Sequence, residues 1–394
     1  DAVLVGVASL FTQDVPEDFA AMDWLVRNRP HVLRALAGGL RAEYRRWRRA
    51  ECDSFDGRLD DRRLRNSLAE AFGPDKVFSA RQLETYGRCP WRFYAEYVLD
   101  LSPLAEPERR LEAVARGIFC HRVLCDALTR LSAEADGPVR LGEIEWERLE
   151  SVLDASVEAA AAEVERTRPP YPALWAIQKQ EMREALRDYL LAEHAAVGLD
   201  SAAVRLELDF GLTEPSEREA AERSLPPAEV STPNGALRLR GRIDRIDQVR
   251  GEAGSGLLVI DYKTGRLPAK KDMSEGRSLQ LALYASAVEQ LLRQPALGGA
   301  FHRVARGDAA KAFFAAIKPA RDGYREDDGY PENLESALAK AGCFAAGIRA
   351  GRFDALPTHK HCGRHCPFRA ICRYSEPRRE RKAPADPTGE EEGR

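Results

Sequence analysis

The hydrophobic period of the chain changes near residue 200, and this change most limits what the chain can fold into. Before it the pattern is helical. After it Val204, Leu206, Leu208 and Phe210 alternate with polar residues, as do Leu237, Leu239 and Ile243, while Leu257 to Ile260 is continuously apolar. Three strands in succession, set among helices, predict a mixed α/β fold. The period of two also dictates which side chains share a face. Arg238, Arg240, Arg242 and Asp244 fall on one side of the second strand, and Asp261 and Lys263 project together from the third while Tyr262 points away.

Residues 17 to 50 read as helical, with Leu33, Leu36, Leu40 and Tyr44 on one stripe. Breaks at Asp56-Gly57 and Gly73-Pro74 put a boundary near residue 75, leaving 1–75 as a helical leader. Ser79 with Gln82 forms a capping-box pattern, so a helix is expected from there. From about 143 to 198 two further helices are separated at Pro169-Pro170 and Pro172 and read as an insertion or cap. The stretch from Glu214 to Asn234 reads as an exposed loop. A helix near Ser278–Leu292, strands near Ala300–Val304 and Ala312–Ile317, and a helix near Pro331–Ala350 complete the main domain, 76–375. The charged tail 376–394 offers little to bury and is expected to be unstructured.

With 60 basic and 63 acidic residues, the 394-residue chain has a formal net charge of -3, so any nucleic-acid surface must be local. There is no apolar run of the roughly 18 to 20 residues that cross a bilayer, and no secretory leader. A cytoplasmic protein without membrane contact is expected, although the chain opens at Asp1 rather than Met. Eight cysteines are too sparse for a disulfide scaffold.

Two carboxylates on neighbouring strands, Asp244 and Asp261, are hard oxygen donors suited to Mg²⁺ or Mn²⁺, and an ammonium beside them, Lys263, suits phosphodiester hydrolysis. Taken alone, the trio reads more readily as a surface ion-pair network. The wider set is Gly241-Arg242-Ile243-Asp244, then Val259-Ile260-Asp261-Tyr262-Lys263-Thr264-Gly265, then Gln280 and Tyr284. In that order these segments resemble the PD-(D/E)XK nucleases of the RecB and AddB type. The resemblance implies a restriction-endonuclease-like core, a mixed sheet flanked by helices with helical insertions. It implies that Asp244 and Asp261 bind the metal, that the Tyr262 carbonyl completes its ligands and that Lys263 assists the attacking water. Gln280 and Tyr284, four apart on one helical face, are expected to meet the DNA strand. Gly117-Ile118-Phe119-Cys120-His121 is similar to the early Gly-x-x-x-His element of the family, which makes His121 a third side-chain ligand. Glu207 is left outside the site, as one polar position on a strand face. Arg238, Arg240 and Arg242 suit backbone phosphates or a solvated face equally.

Cys362-x3-Cys366-x5-Cys372 reads as metal ligation, and Cys89 can join it only if the two ends of the domain fold together. Four cysteines suit Zn²⁺ or an iron-sulfur cluster, and His361 and His365 flank the trio as substitute zinc ligands. The set resembles the AddB-type arrangement, which implies a [4Fe-4S] clasp, with a spacing one residue longer than the family's first interval. Cys52, Cys120, Cys125 and Cys343 read as core or surface thiols.

No Gly-x4-Gly-Lys-Ser/Thr phosphate loop occurs, so ATP hydrolysis would belong to a helicase subunit or helicase-like region outside these residues. The resemblance implies a Mg²⁺-dependent deoxyribonuclease acting on single-stranded DNA ends, an exonuclease rather than an endonuclease, in DNA-end processing and double-strand break repair. Two other readings are a CRISPR-adaptation-type nuclease and a non-catalytic DNA-binding or assembly module of the same fold.

Overall fold

A computed structural model describes residues 23–24, 26–103, 113–167, 171–196, 200–212, 225–251, 254–320, 323–358, 362, 366–372 and 374–382. In chain order, helices α1 (Pro30–Arg48) and α2 (Arg62–Ala71) lead into strand β1 (Val77–Ser79) and α3 (Ala80–Arg88). A helical turn (Pro90–Phe93) and a π-helical turn (Tyr94–Val98) follow, then α4 (Ala113–Ala135), α5 (Trp146–Thr167) and α6 (Pro172–Ala195). Next come β2 (Ser201–Phe210), β3 (Ala228–Val230), β4 (Leu237–Gly251), β5 (Gly254–Lys263), α7 (Gln280–Leu292), β6 (Ala296–Arg303), β7 (Lys311–Ala315), β8 (Ile317–Ala320), β9 (Gly323–Glu326) and α8 (Tyr330–Arg349).

Local chemistry sets several of these boundaries. Ser79 Oγ accepts from Gln82 N at 3.3 Å while Gln82 Oε1 accepts from Ser79 N at 3.0 Å, the reciprocal cap expected of the Ser-x-x-Gln pattern. Asp61 caps α2 through the N–H groups of Arg63 and Leu64. Pro172 occupies the first turn of α6, where its missing N–H costs nothing.

The sheet is mixed. Its spine runs β1-β4-β5-β6-β7, with β2 and β3 both pairing β4; β1–β4 and β5–β6 are parallel and the other pairs antiparallel. β4 is long enough to serve two sets of neighbours: its start pairs β1 and β3, and the remainder pairs β2 and β5. The parity of β5 splits the interior. Leu257 and Val259 join Phe78, Leu83, Phe93, Leu281, Val288 and Ile348 on one face, whereas Ile260 and Tyr262 join Phe119, Leu124, Leu153, Leu186 and Tyr189 on the other. Helices α5 and α6, read from the sequence as an insertion or cap, thus join α4 in the layer that covers this second face.

Three expectations change. Leu68 and Phe72, upstream of the expected boundary at 75, belong to the same core as Phe78 and Phe93, because Phe72 packs on both rings. The stretch read as a loop from Glu214 contains β3, whose Ala228 and Val230 are buried against β4; residues 213–224 lie outside the described residues. The tail is helical over Glu376–Arg381: Arg378 pairs with Glu43 at 3.1 Å, and buried Lys382 donates to Asp56 at 2.6 Å. Its charges find partners on the leader, which composition alone could not reveal; residues 383–394 lie outside the described residues.

Candidate active site

Asp244 and Asp261 lie on adjacent strands, one residue beyond the last paired positions, Arg245 and Ile260, where β4 and β5 begin to part. Asp244 Oδ2 accepts from the Tyr262 N–H at 2.8 Å. His121, on α4, reaches the same point from the opposite layer. Its Nδ1 is 3.2 Å from Asp244 Oδ1, and its Nε2 is 2.9 Å from the Tyr262 carbonyl oxygen. The three side chains and the carbonyl expected from the sequence as one ligand set are therefore neighbours.

Lys263 Nζ is 2.5 Å from Asp261 Oδ2. Gln280, at the first position of α7, closes a ring around this pair: its Nε2 donates to Asp261 Oδ1 at 2.5 Å, and its Oε1 accepts from Lys263 at 3.1 Å. Tyr284 lies one turn further on. Expected at a DNA strand, it is instead buried, edge-on to Phe210 at 5.6 Å, over the spot where a side chain at Gly241 would stand. That contact explains the glycine of Gly241-Arg242-Ile243-Asp244: any Cβ would lie 2.6 Å from the Tyr284 hydroxyl. Tyr284 lies one turn along the same helix from Gln280, close enough for Gln280 to influence its hydroxyl.

The sequence reading missed Glu207. Its carboxylate, His121 and Asp244 each offer a ligand atom, all within 4.8 Å of one another. Between the pairs Leu206–Arg245 and Leu208–Ile243, Glu207 falls level with Asp244, and its φ is 44°. A left-handed residue that is not glycine, inside a strand, is strained and persists only where the surroundings hold it. No periodicity argument signals such a residue.

Electrostatics at the site are those of crowded acids. Burial pushes the Asp261 carboxyl up to about 6; Lys263 opposes this and the charge of Asp244 adds to it. Burial pushes Glu207 up to about 7, reinforced by Asp244 and opposed by Arg242 and His121. For His121 burial favours the neutral ring, but the hydrogen bond and charge of Asp244, with Asp261 and Glu207, outweigh it and raise the pKa. The Asp244 and Glu207 carboxylates gathered with the His121 imidazole, with Asp261 within electrostatic reach, fit a hard divalent cation, which would relieve their repulsion.

The basic stripe is partly committed. Arg242 grips Asp209 through two bonds, 2.6 and 2.8 Å, and lies 3.5 Å from Glu207, while Arg238 is 3.6 Å from Asp75. Arg242 therefore serves the site's own acids rather than a free phosphate surface.

At the far end of α3, Cys89 follows the helix and lies within electrostatic reach of Cys362 and Cys366, as Cys362 does of Cys366 and Cys372. All four are free thiols. Burial, then the neighbouring sulfurs, push Cys89 up to about 12 against backbone bonds from Arg92 and Trp91 that lower it. A group of soft donors that is disfavoured as bare thiolates fits a thiophilic metal centre. His361 and His365 lie outside the described residues.

The model of the PD-(D/E)XK nuclease superfamily matches residues 77–373. The chain belongs to that superfamily. In this PD-(D/E)XK chain the matched span runs from β1 to the last cysteine, so it contains the acids, the Lys263–Gln280 ring and Cys89, Cys362, Cys366 and Cys372. Similar proteins include an ATP-dependent helicase/deoxyribonuclease subunit of Symbiobacterium thermophilum, 34% identical over 223 residues, which are 55% of this chain and 18% of that protein. The subunits of the same description from Ruminiclostridium cellulolyticum and Acetivibrio thermocellus are 26% and 27% identical, over 60% and 61% of this chain. The matches span 18% to 20% of the length of these relatives. Among the described residues no helix is long and apolar enough to cross a membrane.

Proposed function

We propose that this chain is the nuclease part of a helicase-nuclease and hydrolyses DNA phosphodiester bonds, working from single-stranded ends as an exonuclease during double-strand break repair. The observation that carries the reading is the convergence of His121, Asp244 and Glu207 beside the Asp261–Lys263–Gln280 ring, at the parting of β4 and β5. Asp244, Asp261, His121, Glu207 and the Tyr262 carbonyl would hold Mg²⁺ or Mn²⁺. When bound, the ion polarises the scissile phosphate and lowers the pKa of a ligated water.

The protein's own groups do the rest. Lys263 presents its ammonium toward the attacking oxygen and the crowded phosphate charge, and Asp261 and Gln280 fix its direction. Cys89, Cys362, Cys366 and Cys372 would bind a [4Fe-4S] cluster, with Zn²⁺ the alternative; the support is four free cysteines from the two ends of the domain, linked by the mutual electrostatic influence of Cys89, Cys362, Cys366 and Cys372. The relatives' description as helicase/deoxyribonuclease subunits supports DNA as substrate and a helicase as partner.

The test is Mg²⁺-dependent cleavage of end-labelled single-stranded DNA by anaerobically purified protein, run beside Lys263→Ala. Cleavage by the parent and none by the variant supports the reading. Equal cleavage by both removes Lys263 from the site, and DNA binding without cleavage by either favours a non-catalytic module.

A further inference from the structure

Helix α7 carries Gln280 but cannot cap itself. Its N-cap residue is Leu279, whose side chain has no acceptor, so the first N–H groups need a partner from elsewhere. Glu84, nearly two hundred residues upstream on α3, supplies it. Glu84 Oε1 accepts from Leu279 N at 2.7 Å and from Gln280 N at 3.0 Å. A carboxylate there also complements the positive end of the helix.

Glu84 is itself held firmly. Its side chain is 12% exposed, and Arg88 lies one turn along, 3.6 Å from Oε2. Arg88 donates two bonds, 3.0 and 2.8 Å, to the Arg277 carbonyl, just before α7. Gly87 lets α3 approach the same turn closely: a Cβ there would stand 2.8 Å from the Gly276 carbonyl oxygen. Burial pushes the Glu84 carboxyl up, while Arg88, the two capped N–H groups and the charge of Lys263 pull it back. The Lys263 effect places Glu84 within electrostatic reach of the active site.

We infer that Glu84 is a positioning residue for the nuclease reaction: by capping α7 it fixes where Gln280 meets Asp261 and Lys263. The inference rests on the proposed nuclease function for its catalytic consequence, though not for the cap itself. Glu84 meets Leu279 and Gln280 rather than substrate or ion, and acts through Gln280. A misplacement of the order of 1 Å at Gln280 would release Lys263 from its fixed direction, an effect on kcat of about 10- to 100-fold.

The experiment compares Glu84→Ala, Glu84→Gln, Gln280→Ala and the Glu84→Ala/Gln280→Ala double variant in the 394-residue chain. Glu84→Ala is expected to lower kcat by about 10- to 100-fold with KM for DNA changed by less than about 2-fold. Glu84→Gln, which keeps an acceptor for both N–H groups, is expected to recover most of that loss. In the Gln280→Ala background, Glu84→Ala should cost less than about a further 2-fold, because the two act as one unit. Parental kcat in Glu84→Ala, or a full multiplicative loss in the double variant, overturns the inference.

Hydrogen exchange across residues 277–284 reads the cap without activity. Faster exchange in Glu84→Ala with near-parental exchange in Glu84→Gln supports it, and equal exchange in all three overturns it. A parent that does not cut DNA while exchange responds to Glu84 would sink the nuclease reading and leave the cap standing.

Discussion

The main-chain N–H of Tyr262 donates to the carboxylate of Asp244 at 2.8 Å, tying β5 to β4 at the point where their regular pairing ends. One carboxylate thus has two tasks: Oδ2 secures the neighbouring strand, and Oδ1 faces His121. The two tasks are separable by substitution.

Asp244→Asn keeps an oxygen that can accept from Tyr262 but removes the charge. Mn²⁺ affinity by calorimetry is expected to fall by at least about 10-fold and Mg²⁺-dependent cleavage to vanish, with Tm within about 2 °C of the parent. Asp244→Ala also leaves the buried Tyr262 N–H without its acceptor, at a cost of about 1–3 kcal/mol. A thermal melt in which both variants lose the same stability would show that the strand tie contributes nothing.

Glu207 is held with left-handed backbone inside β2 and points at His121 and Asp244. Glu207→Gln should weaken Mn²⁺ binding by about 10- to 100-fold while leaving DNA binding in Ca²⁺ nearly unchanged. Unaltered ion affinity would mean that Glu207 serves only Arg242, 3.5 Å away.

Glu207 also marks the limit of what the sequence discloses. Asp261 and Lys263 could be placed on one side of a strand because a period of two allows nothing else, and they are in contact. Gln280 could be placed near them by family order. Glu207 depends on a single φ angle that breaks the period, so the alternation rule scored it as an ordinary polar position. Tyr284 shows the converse. Helical spacing correctly put it on the face of Gln280, but not which side of that face is covered, and Phe210 covers it. Glu84 was out of reach altogether, because a cap supplied across nearly two hundred residues leaves no local pattern. The same applies to the tail, where Lys382 is buried by Asp56 rather than by any apolar run.

Behind β4 and β5 lies a second group of charges. Arg245 is buried with Asp247 at 2.5 Å and Glu193 at 3.4 Å, and His302 Nδ1 is 3.0 Å from the Tyr189 hydroxyl. Burial drives His302 down to about 3 against the pull of Glu193. Burial alone would raise Glu193, but positive charge around it, from His302 once that ring protonates and from Lys311 and Arg245 throughout, overcomes burial and lowers the carboxyl. Both folded pKa values are depressed, so both groups bind protons more readily in the unfolded chain. Stability from His302 is therefore complete above about pH 6.5 and is lost progressively as pH falls below it. The Glu193 contribution is lost in turn between about pH 4.5 and 2. Denaturant titrations from about pH 8 to 4 should show the first slope in the parent and its absence in His302→Gln. A parental slope in that variant would assign the effect elsewhere.

The cysteine group makes the strongest claim on the fold as a whole. Cys89 ends α3, whereas Cys362, Cys366 and Cys372 follow α8, so a bound centre closes almost the entire domain into one loop. Cross-links across long loops stabilise by restricting the unfolded chain, typically by about 2–5 kcal/mol. Cys366→Ser is therefore expected to lower Tm by roughly 5 °C or more and to abolish bound iron and acid-labile sulfide. Cys343→Ser is the control, since Cys343 Sγ lies against Asn234 Oδ1 at 3.3 Å, and it should retain the metal. Chelation of the parent should reproduce the Cys366→Ser melt and add nothing to that variant. Zinc in place of iron would keep the stability argument and change the identity of the centre. Parental Tm in Cys366→Ser, with no metal in the parent, would mean that the four thiols hold nothing and that direct contacts, such as Trp91 against Phe368 and the Thr358 N–H to the Arg88 carbonyl, join the two segments.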